Sequence, residues 1–182
     1  MAMQSNIIGL NDVERTFGLQ YKPNEIDALW RVPYSDQELA THSTTHVLVP
    51  GISVNLAMLH NRFPERFSRN NQYAAEPFAQ EVYVLARWYL LRYPHGWAPD
   101  ALTYDERMVT LEGMQQRLPH ACEAAYAIIA CAKVLSGDVC ANSYIRTRDL
   151  TQDGRIVCVS GSRSAAINVF KGKALVRMAI AS

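Results

Sequence analysis

Cysteine is scarce in this sequence. Cys122, Cys131, Cys140 and Cys158 are too few and too scattered in 182 residues for a disulfide framework, and no C-x-x-C pair is present to seed a zinc site. Cys122 and Cys131 fall on opposite sides of a helix and read as small buried hydrophobes in a reducing compartment. An excess of either charge is also missing: 18 Lys and Arg stand against 17 Asp and Glu, so no long-range field gathers nucleic acid or an anionic membrane. No apolar run reaches the roughly 20 residues that span a bilayer, and Met1–Asn6 lacks the basic region and apolar core of a secretory signal. The expected compartment is the cytoplasm.

Recognisable catalytic signatures are scarce as well. Neither Pro50-Gly51-Ile52-Ser53 nor Ser160-Gly161-Ser162 matches the G-x-S-x-G turn of a serine hydrolase. Ser160-Gly161-Ser162-Arg163 resembles an anion-binding turn but lacks the glycines of a phosphate loop. His42 and His46 share i, i+4 spacing, with His60 as a possible third ligand, yet Ser43-Thr44-Thr45 between them is poor helix and no HExxH glutamate is there. Solvated or capping histidines are the favoured reading; no metal or cofactor is expected.

What is present is apolar: 49% of the residues are hydrophobic, enough for one well-buried core and one domain over 1–182. The clearest element is Leu118–Gly137. Pro119 suits a first helical turn, Gly137 closes the C-terminus, and only Glu123 and Lys133 are charged between them, each at the end the helix dipole favours. With no polar face, this Ala-rich helix is predicted to be the central core element, buried nearly all round.

Before it, breakers punctuate short helices. Asn11-Asp12 caps Val13–Phe17, and Pro23-Asn24 opens Glu25–Arg31, where Ile26, Leu29 and Trp30 form one apolar stripe expected to pack on the core. Ser35 and Glu38 make a capping box for a helix to about Thr41. His46–Gly51 reads as a buried strand, Ser53 as the cap of a helix to about Asn61, and Arg62, Arg66 and Arg69 as a basic cluster, either a solvated turn or an anion or phosphate contact. Phe78–Leu91 is long enough to favour a helix with an extended end at Trp88–Arg92. The loop Tyr93–Asp100 is the best-placed ligand loop, and Thr103 with Glu106 caps a helix to about Arg117.

After Gly137 the pattern becomes that of strands. Cys140–Thr147 and Arg155–Val159 flank Asp153-Gly154, a strong hairpin turn, and Ile167–Phe170 and Ala174–Ile180 flank Lys171-Gly172-Lys173. The expected fold is thus α+β: helical over about 1–137, with an antiparallel sheet of two hairpins over about 138–182. Alternation puts Arg146 and Arg148 on one strand face with Tyr144, as a cross-strand ion network or a contact surface for an acidic partner.

Leu118-Pro119, Tyr126–Ala130, Tyr144–Asp149 and Asp153-Gly154-Arg155 with Val157 and Val159 resemble a group of uncharacterised bacterial hypothetical proteins, with echoes at Val47–Val49 and Trp88–Arg92. That resemblance carries no activity. Some members of the group look like C-type-lectin-like variable proteins, with Asn- and Trp-rich C-termini; this chain departs there, at Ala165–Lys173.

The expected function is that of a non-enzymatic binding or assembly protein. Tyr93, His95, Trp97, Arg146 and Arg148 are its candidate contact residues, facing an unidentified protein or small molecule. The alternatives are a ligand-displaying lectin-like protein and a small hydrolase or metal-dependent enzyme using the His42/His46/His60 region. Trp88, Tyr89, Tyr93, Trp97 and the run Val82–Leu91 supply large apolar surface, from which a two-fold homodimer is expected.

Overall fold

A computed structural model describes residues 7–43, 45–68, 73–92, 116–135, 143–161, 167–171 and 180–181. The expected loop with Tyr93, His95 and Trp97, most of the Thr103–Arg117 helix, Gly137, Cys140 and Arg69 lie outside them. The fold is mixed α+β, as expected, but helices and strands alternate along the chain instead of occupying separate parts of it. Helices α1 (Leu10–Phe17), α2 (Pro23–Leu29) and α3 (Asp36–His42) precede strand β1 (His46–Pro50); β2 (Val54–Asn55) leads into α4 (Leu56–Arg62) and a 3-10 turn at Pro64–Arg66. Then come α5 (Pro77–Gln80), β3 (Tyr83–Val84), β4 (Trp88–Arg92), β5 (Gln116–Arg117), α6 (Ala121–Val134), β6 (Ser143–Leu150), β7 (Ile156–Gly161), β8 (Ile167–Lys171) and β9 (Ile180–Ala181).

Local chemistry accounts for several boundaries. Pro23 occupies the first turn of α2, where it has no N–H bond to lose. Ser35 caps α3 as expected: its hydroxyl accepts from the Glu38 N–H at 3.3 Å, and the Glu38 carboxylate accepts from the Ser35 N–H at 2.7 Å. Asn55, not Ser53, caps α4, its side chain accepting from the Met58 N–H at 2.8 Å. Arg62 is held by the first helix, donating to the Gly18 carbonyl at 2.7 Å.

Phe78–Leu91 begins as helix only at α5 and continues through a turn, the short β3 and a bend, whereas the extended end expected at Trp88–Arg92 is β4, its Tyr89, Leu90 and Leu91 buried in a sheet between β1 and β9. Length favoured helix; the aromatic and branched content decided for strand. The C-terminal part is likewise not one sheet of two hairpins. β6 and β7 do form the hairpin around Gly154, whose φ is 76°, but β8 pairs with β7, and β9 leaves for the other sheet, between β4 and β5. Gln116–Arg117, expected at a helix end, is its other neighbour there.

At the centre lies α6, with every residue from Ala121 to Cys131 buried. It starts two residues later than Pro119, whose carbonyl instead accepts the Arg148 N–H at 3.0 Å. The alanines let neighbouring elements approach closely, and α1, α4, α5, β3, β6 and β7 all pack on it. Tyr126 anchors the middle: it stacks on Phe17 at 4.7 Å, and its hydroxyl donates to the Pro50 carbonyl at 2.5 Å. No helix among the described residues is long and apolar enough to cross a membrane.

Candidate functional site

Three places bring chemistry-bearing side chains together. The first is the N-terminus of α6. Glu123, 3% exposed, accepts the His120 N–H at 2.8 Å in a capping arrangement and takes both arms of the Arg117 guanidinium at 2.7 and 2.6 Å. Arg87 approaches the same carboxylate at 3.5 Å. Burial pushes the Glu123 carboxyl up, but hydrogen bonds and charge from Arg117 outweigh it and hold the group below the usual carboxylate range.

Beside it, Asp149 reaches in from β6. Its Oδ1 lies 2.5 Å from His120 Nδ1 and its Oδ2 accepts the Ala121 N–H at 2.5 Å. The β6 backbone makes this possible. Between the pairs Arg146↔Cys158 and Leu150↔Ile156 the β6 strand carries extra residues, an irregularity braced by the Thr147 hydroxyl donating to the Val157 carbonyl at 2.9 Å. Ile145, Thr147 and Asp149 stay buried, while Arg148 is exposed and Arg146 half-buried. The expected face for Arg146 and Arg148 is therefore the outer one, and the same alternation that turns them out turns Asp149 in. The contact with Asp149 fixes the orientation of the His120 ring. In the sequence Pro119 and Glu123 carry helix-end signals, while nothing local marks the His120–Asp149 pair, whose members lie 29 residues apart.

The second place is the histidine region. His42 and His46 do meet, their rings 4.4 Å apart at 63°, but His60 lies elsewhere, tilted over Phe67 at 5.0 Å and facing Tyr73. The three histidines are not one constellation, and no group of three or more potential metal ligands occurs among the described residues. Cysteine chemistry finds no support either: burial pushes the Cys122 thiol well up and the Cys131 thiol to about 12, so neither is a ready nucleophile. The space beside Glu123, walled by Val49, Val84, Tyr89, Leu91 and Tyr126, has no room for a water molecule.

The third place is the outer face of α2. Leu29 is 2% exposed and Glu25 is buried, its carboxylate accepting the Lys22 N–H at 2.8 Å; Trp88 Nε1 donates to the Leu29 carbonyl at 3.1 Å. These contacts orient the helix so that Ile26 and Trp30 point away from the core, at 42% and 81% exposure, with Val32 at 38% just beyond. The stripe expected to pack on the core is thus divided. Of the residues expected to supply uncovered apolar surface, Trp88 is half-buried and Tyr89 and Leu91 are buried, while Tyr83 and Leu85 in the run Val82–Leu91 are exposed.

No family model, no curated protein and no solved structure matches this chain.

Proposed function

We propose that this chain works by binding, as a contact or assembly module. The observation that carries the reading is Trp30. A tryptophan 81% exposed beside a half-exposed isoleucine on one helix face is an anchor of the kind that dominates interface energetics, and folding gives it nothing to cover. Around it the contributing elements are fixed by backbone and side-chain hydrogen bonds, so the face is preorganised and little ordering cost accompanies contact.

A photo-crosslinking residue at position 30, introduced in the cells that make the protein, tests this. Adduct formation well above that from a control position at exposed Gln20 is the expected result; equal, background labelling from both positions would sink the reading.

A rival catalytic reading has one observation behind it, the orientation of His120 by Asp149, and it replaces the His42/His46/His60 region as the place to look for acid–base chemistry. Hydrolysis of activated esters lost in a folded His120→Ala variant would favour it.

A further inference from the structure

From the α2 face we infer that its occupant is a second copy of this chain, docked about a two-fold axis with the two α2 helices antiparallel; the inference rests on the binding reading above. The argument is charge self-complementarity. Ile26, Asp27, Trp30 and Arg31 occupy roughly 140° of one side of the helix, opposite Glu25 and Leu29. Trp30, with φ −56° and ψ −35°, carries the helical turn on to Arg31.

Asp27 and Arg31 are both exposed, and neither has an ion-pair partner among the described residues. Each apolar residue on this face thus has a charge beside it, negative next to Ile26 and positive next to Trp30. Antiparallel pairing sets Ile26 against the second copy's tryptophan and Asp27 against its arginine. Because a two-fold interface repeats every contact, both the apolar and the ionic pair occur twice. A partner carrying one sign of charge alone would meet repulsion at one end of the face; a second copy meets none. The contact is small, centred on a seven-residue helix, so the dimer should be of micromolar strength rather than permanent.

Analytical ultracentrifugation between about 1 and 100 μM decides it. The wild-type chain is expected to move between monomer and dimer across this range. Asp27→Arg and Arg31→Asp should each weaken the dimer about tenfold or more, since each places like charges opposite one another twice. An equimolar mixture of the two variants should restore association, as a heterodimer in which both facing pairs are again of opposite sign. Trp30→Ala should leave only monomer.

A wild-type chain that stays monomeric to 100 μM overturns the inference, as does a dimer indifferent to these substitutions or a mixture that fails to associate. Melting curves confirm that the exposed charge variants are folded, and the mixture supplies its own control. If the wild type is monomeric but position 30 still cross-links to another molecule, the second copy is excluded and the binding reading stands.

Discussion

Helices α6 and α2 are both apolar where they matter, yet they end in opposite environments. Every residue of α6 from Ala121 to Cys131 is buried, whereas in α2 Leu29 is 2% exposed and its neighbour Trp30 81%. The difference lies in what turns each helix. α6 has no polar side to present, so any stable arrangement surrounds it. α2 carries its apolar residues on an arc wide enough to be covered in part, and two polar contacts decide which part: the Glu25 cap and the Trp88 bond to the Leu29 carbonyl. Uniform hydrophobicity determines burial by itself, while a stripe needs a partner to determine its orientation.

The contrast is broken most severely inside α6. Ala127 is fully buried, and Ala127→Arg would place a long unpaired cation in the centre of the core. The expected result is no folded protein, since an uncompensated buried charge costs at least several kcal/mol and the overpacking adds to it, against the roughly 5–15 kcal/mol by which domains are stable. Soluble yield and far-ultraviolet circular dichroism check this; a cooperative melt near the wild-type temperature would show that α6 is far more loosely surrounded than described.

Next comes the polar end of the same helix. Glu123→Ala removes the cap on the His120 N–H and leaves Arg117, 17% exposed, without its carboxylate, a loss of about 3–5 kcal/mol in urea unfolding. A pH titration of stability sharpens the point. The folded Glu123 carboxyl is held below its ordinary range, so its contribution is fully present above the unfolded value near 4.3 and drains away as pH falls through the folded value. Glu123→Gln should flatten that acid limb, and an unchanged limb would mean that other carboxylates carry it.

How much of this was readable in the sequence follows the same physics. The central helix, the Ser35–Glu38 cap and the Asp153-Gly154 hairpin depend on residues close together in the chain, and local grammar locates each of them, the helix start to within two residues. The strand character of Trp88–Arg92 was half visible, because an apolar segment buried on both faces shows neither helical nor strand period. The destination of Ile180–Ala181 was not visible: that strand pairs with Leu90–Leu91 and Gln116–Arg117, and no local pattern encodes a distant neighbour. The His120–Asp149 contact was hidden for the same reason, although the alternation that exposes Arg148 already required Asp149 to face inward.

In α2 the buried half of the stripe should behave like α6 on a smaller scale. Leu29→Ala deletes a side chain that is 2% exposed and is expected to cost about 2–3 kcal/mol in chemical denaturation. A loss below about 1 kcal/mol would mean that α2 is not firmly seated on the core. Smaller again is Gly154→Val, expected to cost about 1–2 kcal/mol. A Cβ there meets nothing within 4 Å, so the loss comes from the φ of 76°, which branched residues avoid, and not from a clash. Gly154→Asn, whose side chain tolerates that conformation, should lose less in the same melting experiment.

The smallest effect expected is on monomer stability, from Trp30→Ala, and it discriminates most sharply between the two halves of α2. Large-to-small substitutions destabilise through buried area lost and cavity left, and a side chain already 81% in water supplies little of either. Its backbone N–H bond to Asp27 is untouched by truncation, and alanine continues the helical turn at least as well as tryptophan. Unfolding at nanomolar concentration, where association contributes nothing, should therefore shift by less than about 0.5 kcal/mol, against the 2–3 kcal/mol of Leu29→Ala one residue earlier. Repeating the measurement at tens of micromolar separates folding from contact: the wild type should gain stability with concentration while the Trp30→Ala chain gains none. A large loss at nanomolar concentration would place Trp30 in the core and close the α2 face as a binding surface.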